Sequence, residues 1–397
     1  MLPSLPKNSP TLDRPPQPNS ITEIRVVYVA DIPAPYNVEL LRELAQNIDV
    51  TALFCAETAT RGMPWCFGEQ LGFKHLVLGG PVIRRRGDAI DYYVSPTIFR
   101  RLIQIRPHIV ISGMFSFPSF YSWLYTQFYR AKLILYSDGT AESESSLSWH
   151  QLAARKFLLG RVSSCIAQSG PAAQRLRQLA PGASVLLAPH TTNLSPLLGI
   201  AMTRDWSERD ELRLLSVGRL TNRKGVDHLI RALAKMRSIR RPVRLTIVGS
   251  GPEECDLRAL VSNLNLARVQ FAGFVDQAGL PSYYGNADAF VFPTLGDTYG
   301  LVLLEAAAAG LALVASCHAG ATKDLVRNSE AGMVFDPSEE DILANQIAAL
   351  ADNHDLVIQM GRAASKVAQD QTPARIAEIY LQAINTAKHD LRIDRAE

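Results

Sequence analysis

One stretch, residues 289–315, limits what this chain can fold into more than any other. It opens on a short apolar run, Ala289-Phe290-Val291-Phe292, and passes into a polar loop, Pro293-Thr294-Leu295-Gly296-Asp297-Thr298-Tyr299-Gly300. An Ala/Leu-rich segment follows from Leu301, then Gly310 and a second apolar run to Ala315. Strand, loop, helix, strand is the unit that winds a parallel sheet. Asp297 falls where the loop gives way to the helix. The N–H groups of Thr298, Tyr299, Gly300 and Leu301 are then expected to be the unpaired donors of a first helical turn. Such a terminus favours an anion, phosphate above all. Glu305 comes about two turns after Asp297, so both acids are expected to face one cleft. Carboxylates repel phosphate, and suit hydroxyl groups such as those of a ribose or a sugar.

At 397 residues the chain exceeds one ordinary domain. Cys55, Cys66, Cys165, Cys255 and Cys317 are scattered, with neither metal-ligand spacing nor an even disulfide set, which fits a reducing compartment. No apolar run reaches the roughly 18 residues of a membrane span. Residues 1–20 are rich in Pro and polar residues and lack a signal-peptide core, so a disordered lead is expected. The expected location is the cytoplasm. The net charge of +3 conceals an asymmetry: residues 1–200 hold 19 Lys+Arg against 13 Asp+Glu, the remainder 22 against 25. Arg84-Arg85-Arg86, Arg100-Arg101, Arg130, Lys132, Arg155, Lys156 and Arg161 read as solvated helix faces, the commoner case for dispersed charge. The functional alternative is a face for anionic lipid, at the cytoplasmic side of a membrane, or for an anionic acceptor. No nucleic-acid partner is expected.

In chain order, residues 24–30 form a first strand, 31–37 a loop stiffened by Pro33 and Pro35, and 38–46 a helix. A strand is expected over 50–55, and an irregular loop over 57–72 with Trp65 and Phe67, which could stack on a sugar ring but are more commonly core. The helix over 96–105 precedes a strand at 107–111. The aromatic run 115–129 reads as a buried helix. Strands at 132–136, 164–168 and 185–188 complete one doubly wound domain. A polar stretch, 203–210, leads to a second set of strands at 212–217, 243–248, 269–275 and 332–337, with helices at 226–237 and 280–286. The chain from 341 to about 387 reads as helical.

Gly218-Arg219 and Lys224-Gly225 bound a basic loop just after the strand at 212–217, where open α/β sheets bind ligands. Alone such a loop is usually just solvated. Beside the Asp297–Leu301 turn, its two cations would bracket a diphosphate and stabilise it as a leaving group. Gly249-Ser250-Gly251 resembles the start of a dinucleotide fingerprint, but Pro252-Glu253-Glu254 follows and the third Gly is missing. These glycines more readily permit a close backbone approach.

Residues 215–337 resemble the donor half of the retaining, nucleotide-sugar-dependent glycosyltransferases of the GT-B architecture, the family 4-like "glycosyl transferases group 1". The family's Glu, seven residues, Glu stands here as Asp297 and Glu305. The supporting matches are Ser216-Val217-Gly218-Arg219-Leu220, Lys224-Gly225, Val248-Gly249-Ser250-Gly251-Pro252, Gly273-Phe274-Val275 and Phe292-Pro293-Thr294. The first half is similar only in outline, through strand order and the Pro33-Ala34-Pro35-Tyr36 loop. The resemblance implies two Rossmann-like domains: an acceptor domain over 21–200 and a donor domain over 201–370, with residues 371–397 a helix crossing back. It implies transfer of a hexose-type sugar from a UDP- or GDP-type donor to a glycan or lipid-linked glycan, as in bacterial surface polysaccharide assembly. No cofactor or metal is implied.

The same resemblance assigns roles. Arg219 and Lys224 would hold the diphosphate, Glu305 the ribose, and Asp297 the transferred sugar. Gly300 and Leu301 would offer amides to phosphate, with Thr298 and Tyr299 beside them. Phe274 and Val275 would read the base, and Gly218 and Gly251 would line the donor loops. Relatives carry a His after a central strand of the first domain; here the loop reads Tyr136-Ser137-Asp138-Gly139. Asp138 could serve in its place, or be a turn residue. Asp31 is the candidate base or orienting group on the acceptor side, or else a capping residue. Tyr36, Asn37 and His190 are acceptor-side candidates, although a lone His is more often structural. A non-catalytic sugar-nucleotide binder, an epimerase and a phosphorylase are the alternatives on this scaffold.

Overall fold

A computed structural model describes residues 24–57, 71–84, 91–113, 115–236, 239–327 and 330–396 of the protein. The apolar runs become two parallel sheets. The first has the strand order Lys74–Val77, Asp49–Phe54, Arg25–Ala30, Ile109–Gly113, Lys132–Ser137, Ser164–Ala167, Val185–Leu187. The second runs Val269–Gly273, Val243–Val248, Leu212–Val217, Ala289–Phe292, Ala312–Ser316, Gly332–Phe335. A separate antiparallel pair joins Val82–Arg84 to Asp91–Tyr93. Each large sheet reverses its order beside its own first strand, which opens a crevice at the carboxyl ends. These are two Rossmann-like units.

The central strands read as continuous apolar runs because helices cover both faces. Val26, Val27, Tyr28 and Val29 are all buried, as are Phe290, Val291 and Phe292. The long final helix, Pro373–Ala396, sets Ile376, Tyr380, Ala383, Ile384 and Ala387 into the core of the first sheet. That spacing is the apolar stripe of one helix face. Just before it, the Thr191 hydroxyl donates to the carbonyl of Gln371, whose side chain accepts from the Tyr299 hydroxyl, so the crossing ties both units together.

Four sequence expectations need correction. The first helix begins at Pro35, not 38, because Pro suits the opening helical turn. The aromatic helix, Phe117–Tyr129, is not buried all round: it packs through Pro118, Ser119, Ser122 and Tyr125. Its serines bond locally, Ser119 to the Gly113 carbonyl (2.9 Å) and Ser122 to that of Pro118 (2.8 Å), and Phe117, Phe120 and Phe128 face outward. The helix after Ala289–Phe292 starts at Leu301, so Thr298 and Tyr299 precede it. The helices Trp149–Leu159, Gly170–Leu179 and Ser195–Met202 were not read from the sequence. Trp65, Phe67, Arg85 and Arg86 lie outside the described residues, as does most of the 57–72 loop.

Candidate active site

Gly300 makes the turn. Its φ of +100° is one that side-chain-bearing residues avoid, and a Cβ there would lie 2.6 Å from the Phe292 ring. Before it, residues 297–299 lie extended against 318–321. The Asp297 N–H donates to the His318 carbonyl (3.1 Å), Gly320 to Asp297 (3.0 Å) and Ala321 to Tyr299 (2.9 Å). The Tyr299 amide is taken by Asp297 Oδ1 (3.2 Å), and its ring is buried toward His190 and Gln371. Of the donors expected over 298–301 the Tyr299 amide is thus taken, and Leu301 and Val302 supply the first amides of the actual helix.

Lys224 sits in the short turn Asn222–Lys224, which ends on Gly225 at φ +62°. A Cβ on Gly225 would meet the Pro293 carbonyl at 2.1 Å, so the basic loop and the Asp297 loop touch backbone to backbone. The Lys224 ammonium lies 2.6 Å from Asp297 Oδ2. Arg219 is exposed on the same loop, just past the carboxyl end of Leu212–Val217. Gly218 donates to the Val248 carbonyl and Leu220 to that of Ser250. Gly249 and Gly251 press on the Gly218 and Leu220 carbonyls, where a Cβ would come within 1.9 and 2.2 Å. Their glycine requirement is thus met by loop packing. Phe274, 63% exposed, and Val275 follow the carboxyl end of Val269–Gly273.

Glu305 is one turn into the helix and accepts from the Tyr284 hydroxyl (2.7 Å). Burial lifts its carboxyl to about 7, and the Tyr284 bond pulls the other way. Asp297 precedes this helix. The two acids sit on the loop and the helix that follow one strand.

The first domain offers a different surface. Asp31 follows Arg25–Ala30, and burial lifts its carboxyl to about 6. Tyr36 meets His190 edge-on, with ring centroids 4.5 Å apart. Asn37 does not face the crevice. In the first turn of a helix starting at Pro35 it points inward, where its Oδ1 accepts from Tyr28 (3.0 Å). Tyr28 and Tyr136 stack beneath, at 5.1 Å. Asp138 follows the strand Lys132–Ser137, and its loop is braced by buried Glu144, gripped by Arg155 (3.0 Å) and Arg175 (2.9 Å). That brace spans three elements and left no local sequence signal.

His190 is the meeting point. Its Nδ1 is buried with no hydrogen-bond partner. Burial lowers its pKa, while Asp138 of the first domain and Asp297 of the second raise it. Tyr36 of the acceptor side and Tyr299 of the donor side (5.3 Å between centroids) thus meet on one imidazole. Tyr284, Val302 and Glu144 join the site without having been read from the sequence. So do Cys317, His318 and Asp336, a group of ligand-type side chains at its edge.

The whole fold is that of GT-B enzymes. An Anabaena HepE crystal structure, in complex with UDP, superposes with a TM-score of 0.72 at 17% identity, covering 92% of this chain and all of that one. Residues 204–367 match the model of the family described as Glycosyl transferases group 1. An uncharacterized glycosyltransferase of Methanocaldococcus jannaschii, MJ1607, is 37% identical over 136 residues, 34% of each chain. The GDP-mannose-dependent alpha-(1-6)-phosphatidylinositol monomannoside mannosyltransferase of Mycobacterium tuberculosis is 34% identical over 158 residues, 38% of this chain and 41% of that one. These matches span well under half the length of either relative.

Proposed function

We propose that the protein is a glycosyltransferase that moves a hexose-type sugar from a UDP- or GDP-type donor to a glycan or lipid-linked glycan. The observation that carries this reading is His190, whose ring lies between Tyr36 of the first domain (4.5 Å between centroids) and Tyr299 of the second (5.3 Å). A donor held in the second crevice would present its sugar there, against an acceptor entering over Asp31 and Tyr36. Arg219, Lys224 and the amides of Leu301 and Val302 would carry the diphosphate charge, the task a metal ion performs elsewhere. Glu305 would take the ribose hydroxyls. The HepE structure with UDP and the mycobacterial enzyme's GDP-mannose support a nucleotide-sugar donor.

Transfer is proposed to retain configuration. The acceptor hydroxyl oxygen bonds to the anomeric carbon from the face the diphosphate leaves, and the hydroxyl proton passes to the departing diphosphate oxygen. Asp138 would hydrogen-bond a sugar hydroxyl. The mycobacterial relative's phosphatidylinositol mannoside supports a lipid-linked acceptor, and a putative colanic acid biosynthesis glycosyltransferase of Salmonella typhimurium, 31% identical over 188 residues, supports a setting in bacterial surface polysaccharide assembly. No described helix is long and apolar enough to cross a membrane. Contact with the cytoplasmic face of an anionic membrane is proposed for the outward aromatics of Phe117–Tyr129 and Trp149–Leu159. Phe128 and Trp149 are 67% and 71% exposed there, and Arg161 lies over the Phe157 ring.

A non-catalytic sugar-nucleotide binder is the second reading, because the Lys224–Asp297 pair occupies two groups that catalysis would employ. Incubating the protein with UDP-, GDP- and ADP-sugars and measuring nucleoside diphosphate release separates the two. A transferase gives slow release with one donor, accelerated by acceptor, and nuclear magnetic resonance of the product shows the donor's anomeric configuration kept. Tight binding with no release from any donor would favour the binder. Release that needs free phosphate would indicate a phosphorylase.

A further inference from the structure

The strands Ala312–Ser316 and Gly332–Phe335 are neighbours, and each is followed at once by a residue able to ligate a metal. Cys317 and His318 follow the first, Asp336 the second. Asp336 Oδ1 is fixed by the Ser338 amide (2.9 Å) and hydroxyl (2.7 Å). Its Oδ2 is thereby turned toward Cys317 Sγ (4.0 Å) and His318 Nε2 (3.6 Å). The three ligand atoms lie within 4.8 Å of one another, and all three residues are only partly buried. The other ring nitrogen, Nδ1, meets Glu142 Oε1 at 2.9 Å, a carboxylate from the opposite domain.

We propose that Cys317, His318 and Asp336 form a binding site for a borderline-soft divalent cation of the zinc class, with Glu142 orienting His318 from across the cleft. Thiolate, imidazole and carboxylate are the donors zinc takes, whereas magnesium and calcium call for oxygen alone. Four-coordinate zinc with these bond lengths needs about 3.6 Å between sulfur and oxygen and about 3.3 Å between nitrogen and oxygen. The sulfur–oxygen and nitrogen–oxygen separations, 4.0 and 3.6 Å, exceed these by a few tenths of an ångström, and the third, sulfur to nitrogen, lies within 4.8 Å. The Cys317 proton leaves to solvent as the sulfur–metal bond forms, and the thiolate and carboxylate then balance the ion's two charges. Water fills the fourth position. The Nδ1 contact with Glu142 is the second carboxylate that steadies most metal-bound histidines.

The site bears on the cleft through two links. The His318 carbonyl accepts the Asp297 amide, and Glu142 belongs to the other domain. A bound ion would therefore stiffen the loop beneath Asp297 and brace the two domains together. It stands apart from the donor chemistry, and its test does not depend on turnover.

The test uses the full chain, stripped of metal with chelator and titrated with Co²⁺ as a spectroscopic stand-in. The expected result is one Co²⁺ per chain, with a thiolate-to-cobalt charge-transfer band and the visible bands of a four-coordinate ion, both removed by Zn²⁺. Cys317→Ser abolishes the charge-transfer band, while Cys255→Ser, at an exposed cysteine outside the site, retains it. Asp336→Asn and Glu142→Gln each weaken binding about tenfold or more, as loss of a ligand or of its support does. Zn²⁺ raises the melting temperature of the parent and not of Cys317→Ser, whose metal-free melting matches the parent's. No charge-transfer band at stoichiometric Co²⁺, or a band that survives Cys317→Ser, would overturn the proposal.

Discussion

In the second domain the crevice sets cations beside its acids. Lys224 rests against Asp297, Arg219 stands exposed, and a helix start contributes its first amides. In the first domain the matching crevice keeps its acids half-buried among tyrosines, with Asp31 lifted to about 6 and an imidazole pressed toward neutrality by burial. Both crevices arise at the same kind of reversal in strand order. Topology supplies the place, and the loop residues decide whether it suits a fixed polyanion or a group whose protons must move.

The largest expected effect is on the charged side. Glu305→Ala should weaken donor binding about 100-fold or more, since two hydrogen bonds to a carboxylate contribute roughly 3 kcal/mol. Isothermal titration with the preferred donor reads this directly, and unchanged affinity would remove Glu305 from the site. The contrast between the crevices is sharpened by Asp138→Ala, which should leave donor affinity within about twofold and lower turnover about tenfold, the cost of one hydrogen bond to a sugar hydroxyl. Equal losses in binding and turnover would mean that the two sides do not divide the work.

A third prediction concerns pH. Burial lifts Glu305 from 4.5 to about 7, so across that interval the empty folded chain holds a proton that the unfolded chain has released. This contribution to stability is complete below 4.5 and is lost as pH rises through about 7. Donor binding runs the other way, because ribose hydroxyls want the carboxylate. Affinity should rise severalfold between about pH 6 and 8, and the rise should vanish in Glu305→Gln. A rise that persists in the variant would place the titrating group elsewhere, Asp31 being the next candidate. The smallest effect is structural. Gly300→Ala should cost roughly 1–3 kcal/mol, read as a melting temperature several degrees lower, because it forces a positive φ and crowds Phe292.

The sequence revealed the sheets because strands covered on both faces are written as unbroken apolar runs, as at residues 24–30 and 289–292. It also placed Asp297, Glu305 and Lys224 at one end of one sheet, since each follows a strand of it. It misjudged where the helix starts, because pairing of residues 297–299 with 318–321 holds back the first turn until Gly300. That pairing is long-range and leaves no mark on the local pattern. Asn37 was misjudged because Pro35 opens the helix earlier and rotates Asn37 toward Tyr28. The outward face of Phe117–Tyr129 was hidden because hydrophobic composition alone does not say which side of a helix meets the sheet. Cys317, His318 and Asp336 become neighbours only once their two strands pair.

The central claim is that a nucleotide's diphosphate is held between the amides opening the helix at Leu301 and the cations of the 218–225 loop. A crystal structure with the preferred nucleoside diphosphate tests it most directly. The account predicts phosphate oxygens within hydrogen-bond distance of the Leu301 or Val302 amide and of Lys224 Nζ or the Arg219 guanidinium, with Asp297 released from Lys224. A nucleotide seated in the first-domain crevice, or one in the second with the Lys224–Asp297 pair intact and both cations turned away, would contradict it.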